Sequence, residues 1–515
     1  MRIKRIEIEG FRGYKDRTQI DFDDLTVFVG KNDVGKSTVL EALDLFFNDG
    51  KGVIKYDKSD ISVGSNQNEY VIGVVFVDIP EKVIVDASYE TTLKDEYLLN
   101  EDGNLEIIKK YNGSKNTGVY IRALHPTDSR CDELHLKKKN DLKALLKEYE
   151  IECENQAINA VMRKAIWKRF ENELHLATKD IDVNAGDDTK KIWVKLSCIL
   201  PIYSLFQSDR QNSDGDKEVQ DPLKLAVSQF LQDEALQETL RDVAEKVESK
   251  LQEVADRTLE KLKEMDPNVA ESLNPVIPSA ESLKWTDVFK GVSITSNDDI
   301  PINKRGSGVK RLVLLNFFRA EAERRKSEGD NTGVIYAIEE PETSQHFENQ
   351  KILIHALITL SKTTGSQVIL TSHSGVIVKE LEYDNLRLIF QTEDGEKKVE
   401  HIQNGLLSYP SLNEVNYLAF GEITEEYHDE LYGFIFENQW LQDYEKGRSQ
   451  VPYIRDYGNG KTKNETRTLT HYIRDVMHHP ENKYNQRYTL NDLAHSISDM
   501  RSYIEGKCQV KKQSS

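Results

Sequence analysis

Cysteine is scarce in this chain. Four stand among 515 residues (Cys131, Cys153, Cys198 and Cys508), and no two form a C-x-x-C pair. That argues against a zinc knuckle or a disulfide framework and fits a reducing, cytoplasmic setting. No apolar run approaches the 18 or so residues that a membrane-spanning helix needs, so no membrane association is expected. Met1-Arg2-Ile3-Lys4-Arg5-Ile6-Glu7-Ile8 alternates like a strand rather than a leader peptide. Positive charge is also in deficit, with a formal net charge of −19. Nucleic acid could therefore be met only through local basic patches against an unfavourable field. The length suggests roughly two to four domains.

What is present is organised around Gly30-Lys31-Asn32-Asp33-Val34-Gly35-Lys36-Ser37, a full match to G-x-x-x-x-G-K-[ST]. The apolar run Leu25–Val29 before it reads as a buried parallel strand. The helical spacing of apolar residues from Thr38 to Phe47 supplies the following helix. Gly30 and Gly35 allow a tight turn whose N–H groups converge on phosphate oxygens at a positive helix end. Lys36 would reach the outer phosphates, and Ser37 would ligate Mg²⁺. Lys31, Asn32, Asp33 and Thr38 complete the expected ATP-binding set. Phe11-Arg12-Gly13-Tyr14 reads as a turn between the first two strands, with Arg12 or Tyr14 either touching the nucleotide or simply solvated.

Downstream, Glu69–Pro80 is a strong strand. Lys82–Val85, Leu105–Ile108 and Val119–Ile121 are weaker ones, together suggesting an antiparallel sheet. From Leu142 to Leu174 the apolar spacing predicts one continuous helical face, preceded by Lys137-Lys138-Lys139. That lysine run is a solvated face or a nucleic-acid contact. Ile199–Tyr203 reads as a strand returning to the core. Leu236 to Leu259 follows a three- and four-residue rhythm that predicts a coiled-coil-like seam, pairing with the 142–174 helix as an arm. Buried strands are expected at 334–338 and 367–371, with a helix at 350–361 between them. Strands alternating with helices imply a mostly parallel sheet.

Three further motifs surround the loop. Strand 334–338 ends in Glu339-Glu340-Pro341-Glu342, where Glu339 would hold Mg²⁺ and Glu340 would deprotonate the attacking water. Strand 367–371 ends in Ser372-His373-Ser374, placing His373 as a γ-phosphate switch. Arg305-Gly306-Ser307-Gly308 precedes a helix as a second phosphate cradle.

The order GKNDVGKS, RGSGVKR, IYAIEEPE and TSHS resembles the ABC-type ATPases of the SMC, RecF and OLD group. AIEEPE and ILTSHS are most similar to OLD-like ATPases of bacteriophage defence. The resemblance covers residues 1 to about 400. It implies an α/β ABC-type P-loop head with an inserted helical, coiled-coil-like arm and an α-helical C-terminal domain. The expected divisions are 1–130, 131–275, 276–405 and 406–515. It also implies a homodimer in which two heads sandwich two ATP molecules, Ser307 and Gly308 acting across the interface. OLD nucleases add a Toprim domain, but no strand-end Glu with an Asp-x-Asp pair follows His373. The chain thus resembles the partner-dependent Septu, retron and PARIS ATPases, which implies a separate HNH or Toprim nuclease subunit and a role as regulator of antiphage defence. A RecF-like DNA-repair ATPase is the alternative within the group.

Residues 406–515 read as helical, with Gly447–Asn464 a polar loop and Thr466–Met477 a helix. Arg474 and His479 resemble the R-x₄-H motif of HEPN-type RNases, which implies a metal-free, ATP-gated RNase site. A helix end stopped by Pro480 accounts for the same residues.

Overall fold

In the computed structural model the described residues are 1–31, 33–63, 68–79, 83–86, 89–207, 231, 236–246, 248, 249, 252, 333–343, 346–392, 395–402, 406, 407 and 409–513. Residues 247, 250, 251 and 253–259 of the 236–259 seam and all of the 305–311 motif lie outside them.

The strands, in chain order, are β1 (Arg2–Glu9), β2 (Thr18–Asp21), β3 (Leu25–Val29), β4 (Tyr70–Val77), β5 (Val83–Asp86), β6 (Tyr89–Thr91), β7 (Leu105–Tyr111) and β8 (Asn116–His125). They continue with β9 (Ala177–Asp182), β10 (Ile202–Phe206), β11 (Val334–Glu339), β12 (Ser366–Thr371), β13 (Leu386–Gln391), β14 (Lys397–His401), β15 (Gln450–Asp456) and β16 (Thr462–Thr468). One six-stranded sheet is antiparallel throughout, in the order β2-β1-β4-β7-β8-β9. The other runs β10-β11-β12-β3-β13-β14 and is parallel except at its β14 edge.

Helix α1 (Lys36–Asn48) lies between the two sheets, buried along most of its length. Alternation along the strands makes this layer. Phe28, Ile335, Ala337 and Ile369 point to α1 and the antiparallel sheet, in one core with Ile6, Ile8, Val74 and Ile107. Their neighbours Val27, Val29, Val334, Tyr336, Ile338, Val368 and Leu370 point the other way, against the helix Phe347–Ser361. Asp49 in a left-handed turn ends α1, its N–H donating to Leu45 O at 3.0 Å. Two side chains from β7 satisfy the last carbonyls: Lys109 Nζ donates to Phe46 O at 2.7 Å and Tyr111 Oη to Leu45 O at 3.3 Å. A buried cation at a helix C-terminus also faces the negative end of its dipole.

The expected continuous helical face at 142–174 is two helices, α2 (Lys139–Glu148) and α3 (Asn159–Arg169). Glu150 takes a left-handed conformation after the first, and Ile158 is extended before the second. Their apolar residues do not form an arm face. Leu142, Leu146, Met162 and Ile166 bury one another with Cys131, Trp167 and Leu174. β9 then pairs with β8, and α4 (Asp187–Ile199) leads back to β10. The apolar periodicity was right, but a chain reversal placed both stripes on a shared local core.

The C-terminal region has its own core, built on the helices Glu425–Glu437, Leu469–His478 and Leu490–Gln513. It is not wholly helical. Residues 450–468, expected as loop and helix start, form the β15–β16 hairpin. Gly458, Asn459 and Gly460 all have positive φ, so the Gly-Asn-Gly turn that closes the hairpin was present in the sequence.

A buried ionic knot ties the α2–α3 region to the sheet edge. Arg163 donates to both Glu96 oxygens, at 2.9 and 3.1 Å, and to Asp188, while His135 Nε2 lies 3.1 Å from Glu96. Burial alone would raise the Glu96 carboxyl, but Arg163 and then His135 outweigh it and hold it at about 2. Replacing Arg163 by Met leaves two carboxylates without their cation, and the expected loss is about 3–5 kcal/mol in urea unfolding at pH 7. Because the folded pKa is depressed, the knot's contribution is full above the ordinary carboxyl pKa and fades as pH falls toward 2. The gap between wild type and Arg163→Met should therefore narrow at pH 3. A loss below about 1 kcal/mol at pH 7 would show the knot to be energetically idle.

Candidate functional site

The parallel sheet places four strand ends at one edge. β3 ends in Val29 and leads into Gly30, β11 ends in Glu339, β12 in Thr371, and β10 in Phe206 before Gln207. The register sets Glu339 opposite Thr371 and Thr371 opposite Phe28. Ligands of open α/β sheets bind at such carboxyl ends.

The loop geometry explains both glycines. Gly30 has φ 151 and Gly35 φ 108. A Cβ at Gly30 would run into the carbonyl oxygen of Ile389, and one at Gly35 would press on the Tyr14 ring at 3.3 Å. Tyr14 thus supports the loop from below, its hydroxyl donating to Gly35 O at 3.1 Å. Gly35 is also the N-cap of α1, which has no side-chain cap and no acidic residue in its first turn. The first N–H groups are left for an external anion. Lys36 is 5% exposed, and its Nζ donates to Gly30 O at 2.9 Å and Lys31 O at 2.8 Å. Burial pushes the ammonium down to about 8, opposed by Glu340, Asp33, Glu342 and Glu339.

The expected carboxylates stand around it. Glu339 is raised by burial, opposed chiefly by the hydrogen bond from Ser37 and more weakly by one from Gln207. Gln207 Nε2 also reaches Glu41 Oε1 at 3.4 Å. Glu340 has φ 41, an uncommon backbone for Glu, held by its N–H donating to Thr371 O at 3.2 Å and Thr371 Oγ1 at 3.1 Å. This turn aims its carboxylate at His373, with Oε1 2.8 Å from Nε2. Glu342 fixes His373 from behind, its Oε1 accepting from the His373 N–H at 2.7 Å and the Ser372 hydroxyl at 2.8 Å. Burial raises the Glu342 carboxyl.

Lys36, Ser37, Glu339, Glu340 and His373 are therefore brought together, with Gly30, Lys31, Asp33, Gly35 and Thr38 in or beside the loop. Asn32, Ser307 and Gly308 lie outside the described residues. Two positions beside the site escaped the sequence reading. Gln207 is a polar residue directly after a buried strand, but its partner strand β11 is over 120 residues away. Glu342 was visible in the acidic string, yet nothing in a string distinguishes a reactive carboxylate from a supporting one. Arg12 pairs with Glu41 and with Asp60, the latter at 2.7 Å.

Arg474 and His479 engage different partners. Arg474 lies over the Tyr432 ring, 4.8 Å from its centroid. The helix ends at His478, and His479, with φ −125, turns to Glu481 at 3.1 Å.

Among the described residues no cluster of three or more His, Cys, Asp or Glu is set to hold a metal by itself. The Ser37–Glu339 pair does fit Mg²⁺. Both are hard oxygen donors, and Mg²⁺ takes one or two protein oxygens, completing its shell from phosphates and water. No helix among the described residues is long and apolar enough to cross a membrane.

Fold and site define a phosphate-loop ATPase head of the α/β class. The chain belongs to the AAA ATPase domain family, whose model matches residues 1–378. It is 26% identical over 236 residues to the chromosome partition protein Smc of Rhodopirellula baltica, covering 42% of this chain and 19% of that one. It is 52% identical over 44 residues to the Smc protein of Halobacteriovorax marinus, covering 8% and 4%. The chain thus spans about a fifth or less of these relatives. Among solved structures, the SMC head domain from Thermotoga maritima matches at 13% identity and TM-score 0.31, covering 78% of this chain and 100% of that one. The Smc head from Pyrococcus furiosus with an extended coiled coil, bound to the C-terminal domain of ScpA, matches at 14% and 0.39, covering 77% and 95%. The fold assignment rests on the sheet order and the family match.

Lys36 must be protonated to hold phosphates, and in the free protein burial pushes its ammonium down to about 8. ATP affinity should therefore hold to pH 7.5 and weaken by about tenfold per unit well above pH 8, with proton uptake on binding. Calorimetry in two buffers of different ionisation enthalpy measures both. Constant affinity to pH 9.5 would contradict the burial of this amine.

Proposed function

We propose that this chain binds and hydrolyses ATP in a head-to-head homodimer, and that the ATP state controls a separate nuclease subunit in bacterial antiphage defence. The observation that carries the hydrolytic part is the Glu340–His373 pair, set beside the Ser37–Glu339 pair and Lys36. When bound, Mg·ATP supplies the phosphoryl group that water accepts and the metal that offsets its charge. The chain's own residues do the rest. Lys36 exchanges the carbonyls of Gly30 and Lys31 for phosphate oxygens. Ser37 and Glu339 hold Mg²⁺. Glu340 takes the proton of the attacking water, and His373, braced by Glu342, orients Glu340 and faces the outer phosphate. Ser307 and Gly308 of each head complete the facing site.

The regulatory part is supported by the resemblance of AIEEPE and ILTSHS to OLD-like defence ATPases. Arg474 and His479 engage different partners, Tyr432 and Glu481, which weighs against an RNase site of the chain's own. The likeness to Smc favours a second reading, a DNA-handling ATPase of the RecF sort. DNA-stimulated turnover would favour that reading over a nuclease regulator.

Glu340→Gln should bind ATP, lose turnover by about two orders of magnitude or more, and accumulate as a dimer in sedimentation. Full turnover in that variant would exclude Glu340 as the base. Lys36→Ala and Ser307→Arg should each be inactive alone, yet regain activity when mixed, because one mixed site is intact. No recovery on mixing would remove the two-head arrangement.

A further inference from the structure

The front of the phosphate loop is covered by the C-terminal region. A cavity of about 220 Å³ is lined by Gly30, Lys31, His373, Leu412, Asn416 and Glu422. Three of these belong to the loop and the switch histidine. The other three come from the helix Leu412–Phe420 and the residues just after it. Lys31 Nζ lies 3.2 Å from Glu422 Oε1 and 4.9 Å from the centroid of the Phe420 ring. A carboxylate thus sits on a loop lysine at the mouth of a site whose backbone is arranged for anions.

We propose that Glu422 is a resident stand-in for phosphate, and that the helix Leu412–Phe420 is a wall of the nucleotide site which a bound triphosphate loosens. This rests on the ATPase reading above. The electrostatics are one-directional. A triphosphate brings several negative charges to Gly30 and Lys36, draws Lys31 toward itself and repels the Glu422 carboxylate. Asn416, uncharged and on the same wall, can remain and donate to the incoming oxygens.

The fold shows where the release would travel. Gly421 closes the helix with φ 60, and open space surrounds the place where its Cβ would stand. Residues 421–424 carry the chain from this helix to Glu425–Glu437, and the two helices also meet at Asn413–Glu430, 3.2 Å apart, and at the Tyr417 and Tyr427 rings, so the free stretch is the end beyond Tyr417. The other end is fixed, since buried Glu414 accepts from Leu407 N–H at 3.3 Å and from the Tyr383 hydroxyl, with Arg501 of the last helix 3.5 Å away. An anchored helix with one ionic latch beside a glycine joint converts phosphate occupancy into freedom of the 421–424 link. The same wall lies before the phosphate loop, where a facing head must approach, so the latch also delays head engagement.

The test uses the full chain and Mg²⁺ with an ATP analogue carrying nitrogen between its β- and γ-phosphates. In the wild type, analogue binding should speed amide hydrogen exchange at 418–424 several-fold. Glu422→Gln should show that faster exchange without nucleotide and bind the analogue about three- to tenfold more tightly, as expected for an exposed ion pair no longer competing. Glu422→Asp should behave like the wild type. Equal affinity and equal exchange in wild type and Glu422→Gln overturn the latch while leaving the ATPase reading intact. Slower exchange at 418–424 on binding overturns it too. Absence of analogue binding in every variant overturns both.

Discussion

A lysine ammonium lodged where little water reaches is the constraint on which the head depends. Lys36 keeps its charge only because two loop carbonyls accept from it and the Glu340, Asp33, Glu342 and Glu339 carboxylates offset its desolvation. Those groups come from the loop that follows β3 and from the end of β11, so the charge is tolerable only when the parallel sheet is assembled. The reverse also holds. Half-buried Glu339 and buried Glu342 are both pushed upward by desolvation, and a cation among them lowers the cost of grouping them. Site and sheet edge are one electrostatic unit, and a phosphate with its metal extends it.

The helix that carries Lys36 is held with corresponding care. It is packed between two sheets, and its C-terminal carbonyls are taken by Lys109 and Tyr111 of the antiparallel sheet. The antiparallel sheet therefore does more than cover the head. It fixes the axial position of α1, and thereby the height at which Gly35, Lys36 and Ser37 meet the strand ends. The supporting contact of Tyr14 under Gly35 comes from the same layer.

On the opposite side the C-terminal region meets the head through apolar packing of Leu412, Val415 and Phe420 and through two carboxylates, Glu414 and Glu430. Glu414 gathers backbone N–H groups, Tyr383 and Arg501, while Glu430 takes Lys379 at 3.4 Å and Asn413 at 3.2 Å. Polar joints of this type are specific in geometry and sensitive to nearby charge, which suits a domain that responds to an anionic ligand.

The ATPase core was legible because its parts are local. A glycine loop between an apolar strand and an amphipathic helix, or an acidic pair at a strand end, requires only a few neighbouring residues to be recognised. The sequence alone determined the phosphate loop and the buried strands β11 and β12, and it named Lys36, Ser37, Glu339, Glu340 and His373 as the candidate set that the fold groups together. Tertiary structure decided the rest: that the stripes at 142–174 fold back on each other, that Gln207 stands beside Glu339, that Glu342 braces His373, and that Glu422 reaches Lys31. Each of these is a contact between residues distant in the chain or a choice between equivalent carboxylates. Periodicity records which face of an element is apolar. It does not record which other element that face, or that charge, will meet.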